Sequence, residues 1–238
     1  VRQFRSLLFR VFASASLCAC AQAQAQAPSF YVGANIGGAY YDIDHDDSDQ
    51  LLFNRFNAAG VNGAIYDTYL DRSAGALSAV LGMRLGPYVA LEASYLDMAY
   101  AEFGAYAVQS INNTLFGPVR LRGRIETHGP TVSATLIYPW NAWDFYARGG
   151  AFFAKTELDF RTRGPIGFHS PSEDDTNTAF MVGPGVAFHF TSNLTARAEW
   201  QYLGNVGSLD TLGKLNVGLF NVGVLYEFGS NRQGQWGR

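Results

Sequence analysis

The sequence has little of what marks most soluble domains. Charged residues occupy 16% of its 238 positions, against about 25% in an ordinary soluble protein, and of its 17 basic residues only Lys155 and Lys214 are lysines. With a formal net charge of −3 and no Lys/Arg run, the chain lacks the concentrated basic face that nucleic-acid binding requires. Both cysteines, Cys18 and Cys20, stand near the N-terminus, so thiol catalysis and disulfides drop out for the rest. No stretch of 18 or more apolar residues follows the N-terminal segment, which leaves a closed barrel as the way to cross a membrane. Phosphate-binding Gly-rich loops, dinucleotide fingerprints and Cys/His zinc spacings are absent, so no cofactor and no metal site is expected.

What is present is apolar and aromatic: 48% hydrophobic residues, 15% aromatic, and 26 glycines. Arg2, Arg5 and Arg10 accompany an apolar stretch from Leu7 to Ala21, followed by small residues at cleavage spacing. This reads as a secretory signal peptide over 1–25, cut between 23 and 27. A lipoprotein site acylated on Cys20 is the alternative reading of Leu17-Cys18-Ala19-Cys20. The remainder divides into a barrel over 28–229 and a short tail, 230–238.

From Ser29 onward hydrophobicity alternates with period two in segments of about ten residues, the length a tilted strand needs to cross a bilayer. Phe30, Val32, Ala34, Ile36 and Tyr40 share one face, and Tyr31, Gly33, Asn35, Gly37 and Tyr41 the other. The pattern recurs over Leu77–Leu85, Val89–Leu96, Thr131–Tyr138, Phe145–Phe153, Phe180–Phe190, Leu194–Tyr202 and Phe220–Phe228. Short connections at Gly86-Pro87, Pro139–Trp143 and Thr191–Asn193 interleave with long ones over 42–73, 99–128, 156–177 and 204–214. The expected fold is all-β: an eight-stranded antiparallel up-and-down transmembrane β-barrel, with short turns at the periplasmic end and long loops outside.

A lipocalin-like barrel would show the same period with its apolar face inward. Here the polar face is rich in Gly, Ser, Thr and Ala with about one charge per strand, which suits a crowded lumen. Aromatics gather at the strand ends: Phe30, Tyr88, Tyr138, Trp140, Trp143, Phe190 and Phe228 near the short turns, and Tyr40, Tyr95, Phe153, Trp200 and Tyr202 near the long ones. Two such levels are what two membrane interfaces select, so the apolar face is expected to meet lipid.

The polar face places Arg84, Glu92, Arg148, Arg197, Glu199 and Glu227 in the lumen, three charges of each sign. Buried unpaired charge is very costly, so a filled, mutually paired lumen is expected, with a gate of switching ion pairs as the alternative. Asp42–Asp49 has the oxygen-rich look of a calcium loop, but Asp47 and Phe53 stand where such a loop has Gly and Glu. It reads as a solvated acidic loop. His169-Ser170 is the only adjacent pair for hydrolysis, while His45, His128 and His189 fall on separate elements.

Phe30–Gly37, Pro87–Tyr95, Ala196–Tyr202 and Val222–Gly229 resemble the OmpA-like transmembrane domain and related surface-antigen barrels. The resemblance implies that an interior Glu on the third strand, here Glu92, pairs with an interior Arg on the seventh, here Arg197. The family's interior Lys and second Glu are replaced by Thr135 and Ala187. The closing Tyr226-Glu227-Phe228 is similar to the signal read by the barrel-assembly machinery, and no peptidoglycan-binding domain is expected after it. The expected protein is a monomer of the Gram-negative outer membrane, in contact with lipid and lipopolysaccharide. Its expected role is structural or surface-interactive through the loops. A small channel is the second reading and a lipid-modifying enzyme the third.

Overall fold

The computed structural model describes residues 28–42, 65–111, 114–163, 173–209 and 213–228. The segment expected to be a signal peptide, with Cys20, most of the acidic stretch, His45, His169-Ser170 and residues 230–238 lie outside them.

The described residues form nine strands: β1 (Ser29–Asp42), β2 (Ile65–Leu70), β3 (Ser73–Arg84), β4 (Val89–Ile111), β5 (Thr114–Trp140), β6 (Trp143–Arg163), β7 (Glu173–His189), β8 (Leu194–Leu209) and β9 (Gly213–Phe228). Strands β2 and β3 are one stave of the barrel. Asp71 interrupts it, its carboxylate accepting the Ser73 amide at 3.0 Å and hydroxyl at 2.7 Å. The ladder nevertheless continues through Tyr41 N–H to Arg72 O and Asp71 N–H to Glu102 O. All pairings are antiparallel between chain neighbours, and β1 with β9 and β4 with β5 complete the ring. The result is a closed eight-stranded barrel.

The registers also fix its shape. Phe30 pairs with Met83, Met83 with Leu91, Leu91 with Ala134, Ala134 with Gly149, Gly149 with Val182, Val182 with Tyr202, Tyr202 with Gly218, and Gly218 with Tyr40. One circuit returns to β1 ten residues further on. A stagger of that size over eight strands tilts them by roughly 40° and leaves an interior that side chains can fill.

The alternation places both faces as the sequence predicts. Phe30, Ile36, Leu81, Leu136, Phe180 and Val224 are exposed on the outer wall, whereas Tyr31, Asn35, Ser78, Glu92, Thr135 and Arg197 are buried inside. Asn141 holds the left-handed conformation (φ 53°) in the two-residue link from Trp140 to Trp143, a conformation asparagine tolerates.

The long connections are a correction. Within the segments read as connections, the described residues 99–111, 114–128, 156–163, 173–177, 204–209 and 213–214 are strand. The staves therefore continue well beyond the upper aromatics.

Candidate functional site

The lumen has three layers. In the middle one, Glu92 on β4, Arg148 on β6, and Arg197 and Glu199 on β8 meet at the axis. Arg148 lies 2.6 Å from Glu92 and 3.3 Å from Glu199, and Arg197 lies 3.1 Å from Glu92 and 3.9 Å from Glu199. Each cation thus faces both anions, and the four charges sum to zero. All four side chains are almost wholly buried. The expected Glu92–Arg197 pair is present. The cation absent from Thr135 is supplied one stave on, because Arg148 is the register partner of Thr135.

Two tyrosines complete the layer in matching ways. Tyr31 donates to Glu92 at 2.8 Å and Tyr146 to Glu199 at 3.0 Å. Each ring lies against a glycine of the next stave: a Cβ on Gly82 would stand 2.1 Å from the Tyr31 ring, and one on Gly185 2.3 Å from that of Tyr146. A Tyr–Gly–Glu unit is therefore repeated on opposite sides of the barrel, over β1–β3–β4 and β6–β7–β8. Asn35 accepts from Arg197 Nε at 2.9 Å and donates to Ser78 at 2.7 Å, and Gln201 donates to Glu199 at 2.7 Å.

The lower layer, at the short-turn end, holds Arg84 and Glu227 apart from the quartet. Arg84 pairs with Asp144 at 3.0 Å, and Asp144 with His189 Nε2 at 2.8 Å. His189 Nδ1 lies 2.7 Å from the Thr195 hydroxyl, and Ser29 donates to Glu227. So the six predicted lumen charges are all inside, but they fall into two groups. Asp144 and the role of His189 were not foreseen: the alternation through Tyr146 and Arg148, carried one step further down, reaches Asp144. The Thr195–His189–Asp144 chain has the bonding order of a nucleophilic triad. The adjoining cavity is about 30 Å³, room for a water molecule and not for a substrate.

The upper layer is mostly apolar, with Thr127 and Thr156 hydrogen-bonded to each other at 3.3 Å within it. Leu96, Met98 and Phe103 of β4, Ile125 of β5, Phe152 and Leu158 of β6, Met181 of β7, Leu203 of β8 and Leu215, Val217 and Leu219 of β9 form one buried cluster with Tyr41. Phe103, Ile125 and Leu158 sit in segments read as loops, and Tyr41, Leu96 and Met181 share the inward face of segments read as strands, where the alternation does not set them apart from the polar residues below.

The aromatic girdle is on the outer wall. Tyr88, Tyr138, Trp140, Trp143, Phe190 and Phe228 are exposed near the short turns, and Trp200 higher up. Tyr202 is half-covered by the Phe180 ring, with centroids 5.8 Å apart.

The chain matches the outer membrane protein beta-barrel domain over residues 11–228. It is 27% identical over 203 residues to outer membrane protein A of Shigella flexneri, covering 84% of this chain and 49% of that protein. Over 109 residues it is 31% identical to outer membrane protein A of Yersinia pseudotuberculosis, covering 45% of this chain and 30% of that one. The chain spans about half the length of the curated relatives it matches. Among solved structures, Neisserial surface protein A superposes with a TM-score of 0.52 at 15% identity, covering 85% of this chain and all of that one. The chain belongs to the outer membrane protein β-barrel family, and its place is the Gram-negative outer membrane.

Proposed function

We propose that the protein is a closed, non-enzymatic barrel that holds a rigid extracellular surface above the outer membrane, where it meets partners. The observation that carries this reading is the filling of the lumen by the charge quartet below and the apolar cluster above, while the staves extend beyond the upper aromatics to Ile111 and Arg163. A conduit needs continuous water, and an apolar layer of this depth opposes it. The extended strands suit display, since a paired ladder presents side chains at fixed spacing at little entropic cost on binding.

Two experiments test it. Planar-bilayer recordings of the folded barrel should be silent, and discrete conductance would contradict closure. Replacing 105–122 by a two-residue turn should abolish attachment of displaying cells to a host-cell surface while the barrel stays folded. Undiminished attachment would remove the display role.

A further inference from the structure

Above the upper aromatics the outer wall of β4–β7 is divided into bands of opposite charge. In the lower band the register aligns Glu126 of β5, Glu157 of β6 and Asp174 of β7 in one row, with Lys155 bonded to Glu157 at 2.6 Å. In the upper band Arg120, Arg122 and Arg124 alternate along β5, and Arg161 of β6 stands opposite Arg122. Like charges directly opposite across strands repel, so setting Arg161 against Arg122 costs stability unless an anion offsets it.

Local acids engage only part of the upper band. Glu102 accepts from Arg122 Nε at 3.0 Å and lies 3.3 Å from Arg124, and Glu126 lies 3.8 Å from Arg124. Asp159 stands opposite Arg124 and lines a small cleft with Arg122, Arg124 and Arg161. Arg120 and Arg161 are exposed and have no ionic partner among the described residues. Arg120 lies over two rings, 5.3 Å from the Tyr106 centroid and 5.9 Å from that of Tyr69. A guanidinium supported on aromatic faces is held in place while its N–H edges stay open to an acceptor.

Two features narrow the anion. The acidic row lies between the arginines and the membrane, so an anionic headgroup rising from the leaflet meets repulsion first, whereas an anion arriving from the extracellular medium does not. The β5 arginines occupy alternate residues, about 6.8 Å apart along the strand, and side chains on one face of an extended polypeptide repeat at that same distance. A peptide with a carboxylate at every second residue, laid along β5, therefore meets successive guanidiniums in step, and each can take a carboxylate through two N–H groups. Tyr100, exposed with Arg124 3.7 Å above its ring, adds a residue type that, with arginine, carries much of the energy at protein interfaces.

We infer that the arginine band binds an extended acidic polypeptide from the extracellular medium, with carboxylates at alternate positions on Arg120 and Arg122 and with Arg161 flanking them, a reading that rests on the display role proposed above. Glu102 competes for the same guanidiniums, and the acidic row sets the lower limit of the site.

The test titrates the folded full-length barrel in lipid nanodiscs with a fluorescent peptide alternating Glu and Thr, a permuted peptide of the same composition with its glutamates in adjacent blocks, and a sulfated polysaccharide. Anisotropy and competition read binding, and heat modifiability reads the fold. The alternating peptide should bind, weaken as salt is raised, and bind several-fold more tightly than the permuted one. Arg120→Gln with Arg161→Gln should weaken it by roughly ten-fold or more, and Glu102→Gln, which frees Arg122 and Arg124, should tighten it. Equal binding of the two peptides would overturn the inference, as would an unchanged, folded double-arginine variant. Tighter binding of the polysaccharide than of either peptide would make the partner a glycan instead. Loss of cell attachment on replacing 105–122, with neither peptide bound by the unaltered barrel, would leave the display role standing and sink this site; peptide binding by a barrel whose attachment survives that replacement would do the reverse.

Discussion

Below the upper aromatics the barrel is polar inside and apolar outside; above them the order is reversed. On β6, Ala147 and Phe153 face lipid while Tyr146 and Arg148 point inward. Further up the same strand, Lys155, Glu157 and Asp159 point outward, and Ala154 and Leu158 are buried. β5 does the same, with Leu136 out and Thr135 in below, and Arg124 and Glu126 out and Ile125 in above. The backbone period never changes, but the solvent does. Lipid selects an apolar wall and pushes the polar groups into the lumen, where they must satisfy one another. Water selects a charged wall and leaves the core to the hydrophobic effect.

The two halves should respond differently to substitution. The largest effect is expected from Glu92→Leu, which leaves Arg148 and Arg197 sharing Glu199 alone. An uncompensated buried charge costs about 3–5 kcal/mol, read as a lower urea midpoint in lipid vesicles. In the upper half Leu219→Ala should cost about 2–5 kcal/mol through the cavity it leaves. Polar replacement separates the halves further: Leu203→Asn should be worse than Leu203→Ala, because its buried cross-strand neighbours Met181 and Val217 offer the amide no partner. Tyr31→Phe keeps the ring on Gly82 but removes the donor to Glu92, for about 1–3 kcal/mol in the same assay. A drop for Tyr31→Phe as large as for Glu92→Leu would mean that the ring, not the quartet, governs the lower half.

The smallest effect is a pH dependence of the outer wall. The hydrogen bond from Arg122 holds the Glu102 carboxyl below its ordinary value of 4.5. Because the folded value is the lower one, the pair's contribution is fully present above the ordinary carboxylate value and lost as pH falls through the folded value. Glu102→Gln should therefore flatten the acid limb of the stability profile slightly and leave neutral pH nearly unchanged, as befits an exposed pair.

Much of the lower half was legible in the sequence. Where lipid is outside, alternation of Leu or Phe with Gly, Ser or Arg is unmistakable, and it assigned Glu92, Arg148, Arg197 and Glu199 to the lumen. Which of them meet depends on the ten-residue stagger, which no local pattern contains, so Arg84 was grouped with charges it does not reach. Asp144 was lost at a turn boundary. The upper half was read as loops because Arg120, Arg122, Arg124 and Glu126 look like solvated polar segments. With water outside, Phe103, Ile125 and Leu158 were the signal, since their spacing keeps period two with the faces exchanged.

Thiol accessibility along β6 tests this reversal most directly, in a form with Cys18 and Cys20 replaced and single cysteines at Ala147, Arg148, Glu157 and Leu158. A membrane-impermeant maleimide added to barrels in vesicles should label position 157 rapidly and 147, 148 and 158 hardly at all, whereas a lipid-soluble quencher should reach a probe at 147 alone. Labelling of 158 as fast as 157 would mean that water fills the upper lumen, and the closed barrel with its exchanged faces would be wrong.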